Sequence, residues 1–158
     1  MSTMIIAEAG VNHNSDPKLA LDLIDVAADA GADAVKFQTF NPDALVTHDA
    51  VKAGYQMATT NGKESQLSML RQLALPLDAY PHLIAKCKAR DIRFLSTPFD
   101  LESVDFLVNE VGVDLLKLSS GAVTHGPLLY AAARTKHPVI LSTGMSTLEE
   151  IDRALGVL

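Results

Sequence analysis

Leu115-Leu116-Lys117-Leu118-Ser119 and Pro138-Val139-Ile140-Leu141-Ser142-Thr143 are the two stretches whose reading decides the fold class. Each is a short apolar run of strand length. They begin about 23 residues apart, the spacing of a minimal parallel step of strand, crossover helix and strand. Residues 127–135 supply the helix between them. The same alternation extends outward in both directions. Upstream lie strand-like runs at residues 92–97, at Ala34-Val35-Lys36-Phe37-Gln38-Thr39 and at Met4-Ile5-Ile6-Ala7-Glu8-Ala9. Leu101, Val104, Phe106, Leu107 and Val111 mark a helix between the third and fourth strands. After the first strand, Asp16-Pro17 opens a helix with a side-chain cap and a proline at the first helical position, and Gly31 closes it. After the fifth, Thr147-Leu148-Glu149-Glu150 has the spacing of a capping box and starts a last helix.

The rhythm breaks between the second and third strands. Residues 41–65 read as a long mixed loop, followed by helical stretches at 64–73 and 77–90. Loops of this length inside a domain are more often functional than idle, so Tyr55-Gln56 and Glu64-Ser65-Gln66-Leu67 either close over a pocket or are a solvated loop and a helix start. The chain has 158 residues, 48% hydrophobic and 20% charged, with a net charge of −6. That balance argues against a general nucleic-acid binder, which needs a basic surface. The single cysteine, Cys87, cannot form an internal disulfide. The apolar stretch near Met4 is too short for a signal peptide and is broken by Glu8, and no run approaches a membrane span. The expected setting is cytoplasmic. No linker is visible, so residues 1–158 read as one domain.

Five parallel strand-helix units suit either a doubly wound sheet or part of a barrel. The glycine fingerprint of a dinucleotide fold is missing after strand one, where the chain reads Ala9-Gly10-Val11-Asn12-His13-Asn14, and there is no P-loop. Polar residues recur at the C-terminal end of each strand, where barrels build their sites. The reading is α/β, a (β/α)8 TIM-barrel type. A full barrel takes roughly 250 residues, so the chain holds about the first five units.

Lys36 and Gln38 lie two residues apart on one face of strand two, opposite Val35 and Phe37. A lysine in an apolar strand is costly unless it meets an anion or a carboxylate. Strand four repeats the pattern with Lys117 and Ser119, followed by Ser120-Gly121. Strand three ends Ser96-Thr97-Pro98-Phe99-Asp100 and strand five ends Ser142-Thr143-Gly144-Met145. Hydroxyls and glycine-flanked amides suit phosphate oxygens, so the set reads as a pocket for a small phosphorylated anion. Glu8 either pairs with one of the lysines or handles a proton or a substrate hydroxyl. His13 is either an acid–base group, a metal ligand or a hydrogen-bonded loop histidine. His48, His82, His125 and His137 share no ligand spacing.

Five motifs occur in order: Ile5-Ile6-Ala7-Glu8-Ala9-Gly10-Val11-Asn12-His13-Asn14, Val35-Lys36-Phe37-Gln38, Ser96-Thr97-Pro98-Phe99-Asp100, Lys117-Leu118-Ser119-Ser120-Gly121 and Leu141-Ser142-Thr143-Gly144-Met145. Together they resemble the N-acetylneuraminate (sialic acid) synthase family over essentially the whole chain. The resemblance implies a transferase of sialic acid biosynthesis. Its C–C bond-forming reaction joins phosphoenolpyruvate (PEP) to an open-chain N-acetylhexosamine such as N-acetylmannosamine, and yields a nonulosonic acid plus phosphate. It implies Glu8, Lys36, Gln38 and Lys117 as catalytic residues, and Lys36, Thr97, Lys117, Ser120, Ser142 and Gly144 as PEP-binding residues.

The resemblance also implies a divalent metal, Mn²⁺ or Mg²⁺, with ligands beyond this chain, and a homo-oligomer. The family's C-terminal antifreeze-like domain is absent from residues 1–158. Two departures stand out: Ala122 where many members carry an acidic residue, and Ser15 where glycine is common. A synthase for a related sugar (legionaminic, pseudaminic, spore-coat) and a catalytically silent half-barrel that binds phosphorylated anions are the alternatives.

Overall fold

The computed structural model describes residues 3–47, 50–51 and 65–158. Among these residues five strands appear in chain order: β1 (Ile6–Gly10), β2 (Ala34–Thr39), β3 (Arg93–Pro98), β4 (Leu116–Leu118) and β5 (Val139–Leu141). All pairings are parallel. β1, β2 and β3 form one sheet in that order, and β4 pairs with β5 in a second. β3 and β4 run side by side without a ladder between them. An ion pair from Arg93 to Asp114, at 2.6 Å, joins their feet. The fold is thus α/β with parallel sheets, as expected, but in two ladders.

Among the described residues the α-helices are α1 (Pro17–Asp29), α2 (Pro42–Leu45), α3 (Gln66–Leu73), α4 (Tyr80–Ala89), α5 (Leu101–Asp105), α6 (Gly126–Arg134) and α7 (Leu148–Val157). Their starts are written locally. The Asp16 carboxylate accepts from the amides of Lys18 and Leu19, and Pro17 follows at the first turn. Thr147 and Glu150 complete the capping box reciprocally. Gly31 takes φ +75°, the left-handed turn that ends α1. Three differences from the sequence reading have local causes. Asn41-Pro42 caps and starts the short α2 inside the expected loop, because the Asn41 side chain accepts from Asp43 N–H. The stretch expected as a helix at 77–90 opens as a 3-10 turn, Leu77–Ala79. The helix after β3 widens into a π-helix, Phe106–Val111, which ends at Gly112 with φ +76°. His48, Tyr55-Gln56 and Glu64 lie outside the described residues.

The helices pack in sequence, α1 on α4, α4 on the π-helix, α5 on α6 and α6 on α7. The main core lies between them and the sheets, where Val35, Phe37, Leu116 and Leu118 are fully buried. A second, separate cluster holds Ala34, Leu95 and Leu115, with Ile6 and Ile140 packed against it. Alternation along each strand puts these five on the sheet face turned away from the main core. That face therefore has an apolar lower layer. Two residues further along the strands, the same face carries Glu8, Lys36, Thr97, Lys117 and Ser142. No described helix is long and apolar enough to cross a membrane.

Candidate active site

The polar row begins on β1. Glu8 sits opposite Lys36 in the β1–β2 ladder, and the next registered pair is Gly10 with Phe37. Two residues of β1 thus match one of β2, an irregularity that re-aims side chains at a strand's end. Gly10 takes φ +56°, and a Cβ there would lie 3.1 Å from Glu8 Oε1 and 3.7 Å from Gln38 Nε2. The absent side chain leaves room for the Glu8 carboxylate beside Gln38. Glu8 Oε2 forms an ion pair with Lys36 Nζ. Lys36 Nζ also donates to Thr97 Oγ1 at 3.5 Å, across to β3. Thr97 is itself buried, so its hydroxyl faces the lysine rather than solvent.

Lys117, on β4, is held differently. Its ammonium donates to Ser142 Oγ at 2.6 Å and to the Leu118 carbonyl at 2.7 Å. Among the described residues its hydrogen-bond partners are neutral oxygens. Burial pulls its pKa below the usual lysine value, the nearby Lys36 cation pulls the same way, and Glu8 opposes them. The two lysines therefore feel one another across the row. At the strand tips, Gly144 and Ser120 face each other, since a Cβ on Gly144 would lie 3.8 Å from Ser120 Oγ. Glu8, Lys36 and Thr97 thus form one bonded group and Lys117 with Ser142 a second, with Gln38 beside Gly10 and Ser120 near Gly144, all at the C-terminal ends of the strands. The arrangement is a surface with two lysines, one of them neutralised by a carboxylate, bordered by hydroxyls. It can hold a small dianion and direct a neutral group beside it.

Other candidates resolve as structure. His13 is fully buried; its Nδ1 accepts from Ser15 N–H at 3.0 Å, and burial lowers its pKa. It is the hydrogen-bonded loop histidine. Ser15 itself takes φ +62°, a left-handed conformation that favours glycine. Its hydroxyl donates to the Ala74 carbonyl at 2.7 Å, which ties the first loop to the end of α3. Ala122 is buried in the main core. His125 Nδ1 accepts from Leu128 N–H at 3.0 Å and caps α6.

The sequence motif ending at Asp100 gives that residue no role of its own. It is buried, and its carboxylate accepts from Asn41 N–H at 2.7 Å, Ser103 N–H at 2.8 Å and Ser103 Oγ at 2.9 Å, so it clamps the ends of β2 and β3 together. The signal was the cap pattern Asp100-x-x-Ser103. Nothing local foretold the link to Asn41.

The family model of the NeuB family matches residues 23–158. The chain is 53% identical over 156 residues to N,N'-diacetyllegionaminic acid synthase of Campylobacter jejuni, covering 99% of this chain and 46% of that protein. It is 44% identical over 155 residues to the synthase of the same name from Legionella pneumophila, covering 98% of this chain and 43% of that protein. Among solved structures, the N-acetylneuraminic acid synthetase of Leptospira borgpetersenii, in complex with citrate, superposes with a TM-score of 0.80 at 32% identity, covering 98% of this chain and 50% of that one. The spore coat polysaccharide biosynthesis protein E from Chromobacterium violaceum does so with a TM-score of 0.80 at 26% identity, covering 98% and 45%. The chain spans less than half the length of these two curated relatives. With the match reaching from Leu23 to Leu158 and the five motifs in order along the strands, the chain belongs to the NeuB family.

Proposed function

We propose that this chain is the N-terminal portion of a (β/α)8-barrel transferase that condenses PEP with an open-chain N-acetylated hexose. The high similarity to two N,N'-diacetyllegionaminic acid synthases favours a hexose bearing two N-acetyl groups over N-acetylmannosamine. The barrel reading is supported by consecutive parallel strands, by helices packed in chain order, and by an inner face with an apolar layer below a polar one. On this reading residues 1–158 are part of one domain, the protein works in the cytoplasm, and it assembles as a homo-oligomer.

The observation that carries the reading is the row Glu8–Lys36–Thr97 beside Lys117–Ser142 on one face. In the reaction, C3 of PEP forms a bond to the aldehyde carbon, and the aldehyde oxygen takes up a proton. Water adds at C2, and the C2–O bond to phosphate breaks to release inorganic phosphate. Lys36 and Lys117 offset the carboxylate and phosphate charges and steady the charge that develops at C2. Thr97, Ser120, Ser142 and the Gly144 amide border the same anion. Gln38 holds the sugar or the carboxylate, and Glu8 orients a sugar hydroxyl or moves its proton.

The described residues do not fit a divalent metal centre. They contain no group of three or more His, Cys, Asp or Glu side chains placed to hold one, and the His13 Nδ1 is taken by a backbone amide. The metal of the family reading would draw its ligands from residues outside those described.

Lys117→Ala tests the reading. PEP affinity in calorimetry should fall about 100-fold or more, because a fixed charge leaves a dianion site. An unchanged affinity removes Lys117 from the site. Phosphate release from PEP with candidate sugars then separates a working synthase from a chain that binds the anion without turnover.

A further inference from the structure

The two lysines of the polar row differ in what holds them. Lys117 is met by a hydroxyl and a carbonyl, whereas Lys36 is met by the Glu8 carboxylate. A carboxylate on an ammonium is chemically what an anionic ligand would place there. Glu8 is tethered two residues from the end of β1, so its local concentration at Lys36 far exceeds that of any free monoanion. The pair is also lopsided. The Lys36 side chain is 12% exposed and the Glu8 side chain 53%, so the carboxylate is the partner that can swing into solvent.

Its position is built rather than incidental. The irregular β1–β2 register turns this end of β1, and Gly10 leaves the space that the second carboxylate oxygen occupies, at 3.1 Å from where a Cβ would be.

We propose that Glu8 is a resident counter-ion: it holds Lys36 until a dianion that also engages Lys117 displaces it. Glu8 thereby sets a threshold. A ligand that meets Lys36 alone gains little, since it trades one carboxylate for another. A ligand that spans both lysines gains the Lys117 contact outright and releases Glu8 toward the second substrate. This rests on the reading of the row as an anion site.

Calorimetry with inorganic phosphate tests it. Glu8→Gln should bind phosphate about fivefold more tightly, the scale of a half-exposed ion pair. Glu8→Asp keeps the charge but shortens the arm by one methylene, and should show part of that gain. Unchanged or weaker phosphate binding in Glu8→Gln overturns the proposal. A gain in Glu8→Gln with none in Glu8→Asp also overturns it, since charge at a distance would then suffice. Lys117→Ala separates the two readings. If it binds phosphate as the wild type does, the anion site itself falls. If it loses phosphate while Glu8→Gln gains nothing, only the counter-ion role falls.

Discussion

Lys117 shows what a charge placed in a buried strand costs the protein that carries it. The residue follows Leu116 and precedes Leu118 on β4, but its amine lies on the opposite face from those core residues, against Ser142 Oγ, and burial with the Lys36 cation lowers its pKa. The folded chain therefore disfavours the protonated amine relative to the unfolded chain. That penalty is present in full below the lowered folded pKa and fades as pH rises from it toward the ordinary value of 10.5. Lys117→Met should remove the penalty and raise the melting temperature at pH 7. A lower melting temperature would count against this account. In the wild type, phosphate affinity should decline with rising pH earlier than an ordinary lysine would allow. Lys117 and Lys36 were legible as a pair, because charge inside an apolar strand is a local anomaly. The unequal way they are held was not, because Glu8 reaches Lys36 through a register that no local pattern encodes.

At the scale of elements, Asp100 joins the ends of two strands. One carboxylate caps α5 at Ser103 and receives Asn41 N–H from the start of α2. Beneath it, the Thr39 hydroxyl bonds Ser96 Oγ at 2.6 Å and Tyr80 Oη at 2.7 Å, and burial pushes the Tyr80 phenol up to about 12. These links set the spacing between Gln38 on β2 and Thr97 on β3. Asp100→Ala leaves buried donors without an acceptor and should cost roughly 2–4 kcal/mol in urea unfolding. Asp100→Asn retains one acceptor oxygen and should recover about half. A loss below about 1 kcal/mol for the alanine variant would show that the clamp is peripheral. The caps at Asp16 and Thr147 were readable in the sequence because a cap is a contact over two or three residues. The π-turn at Phe106–Val111 was not, since the apolar spacing there fits an ordinary helix as well.

At the scale of the molecule, β1 and β5 each have a strand neighbour on one side only among the described residues. Met4 and Ile5 are 44% and 55% exposed just before β1, and Val139, Ile140 and Leu141 are only partly buried on β5. Unpaired parallel edges and a half-covered inner face favour pairing with further strands or another copy. This chain by itself is therefore expected to self-associate at micromolar concentration. A clean monomer in light scattering would show that the exposed edges are tolerated.

The sequence by itself determined the order and direction of the elements, the polar end of each strand, and the family. All of these rest on short periods, caps and motifs that a stretch of ten residues can carry. Only the tertiary structure decided that Glu8 closes on Lys36, that Lys117 rests on Ser142, that His13 and Ala122 are interior, and that Asp100 binds across to Asn41. Those contacts join residues 25 to 59 positions apart in all but the burial cases. They depend on strand register and on how the helices seat, which the whole core sets at once.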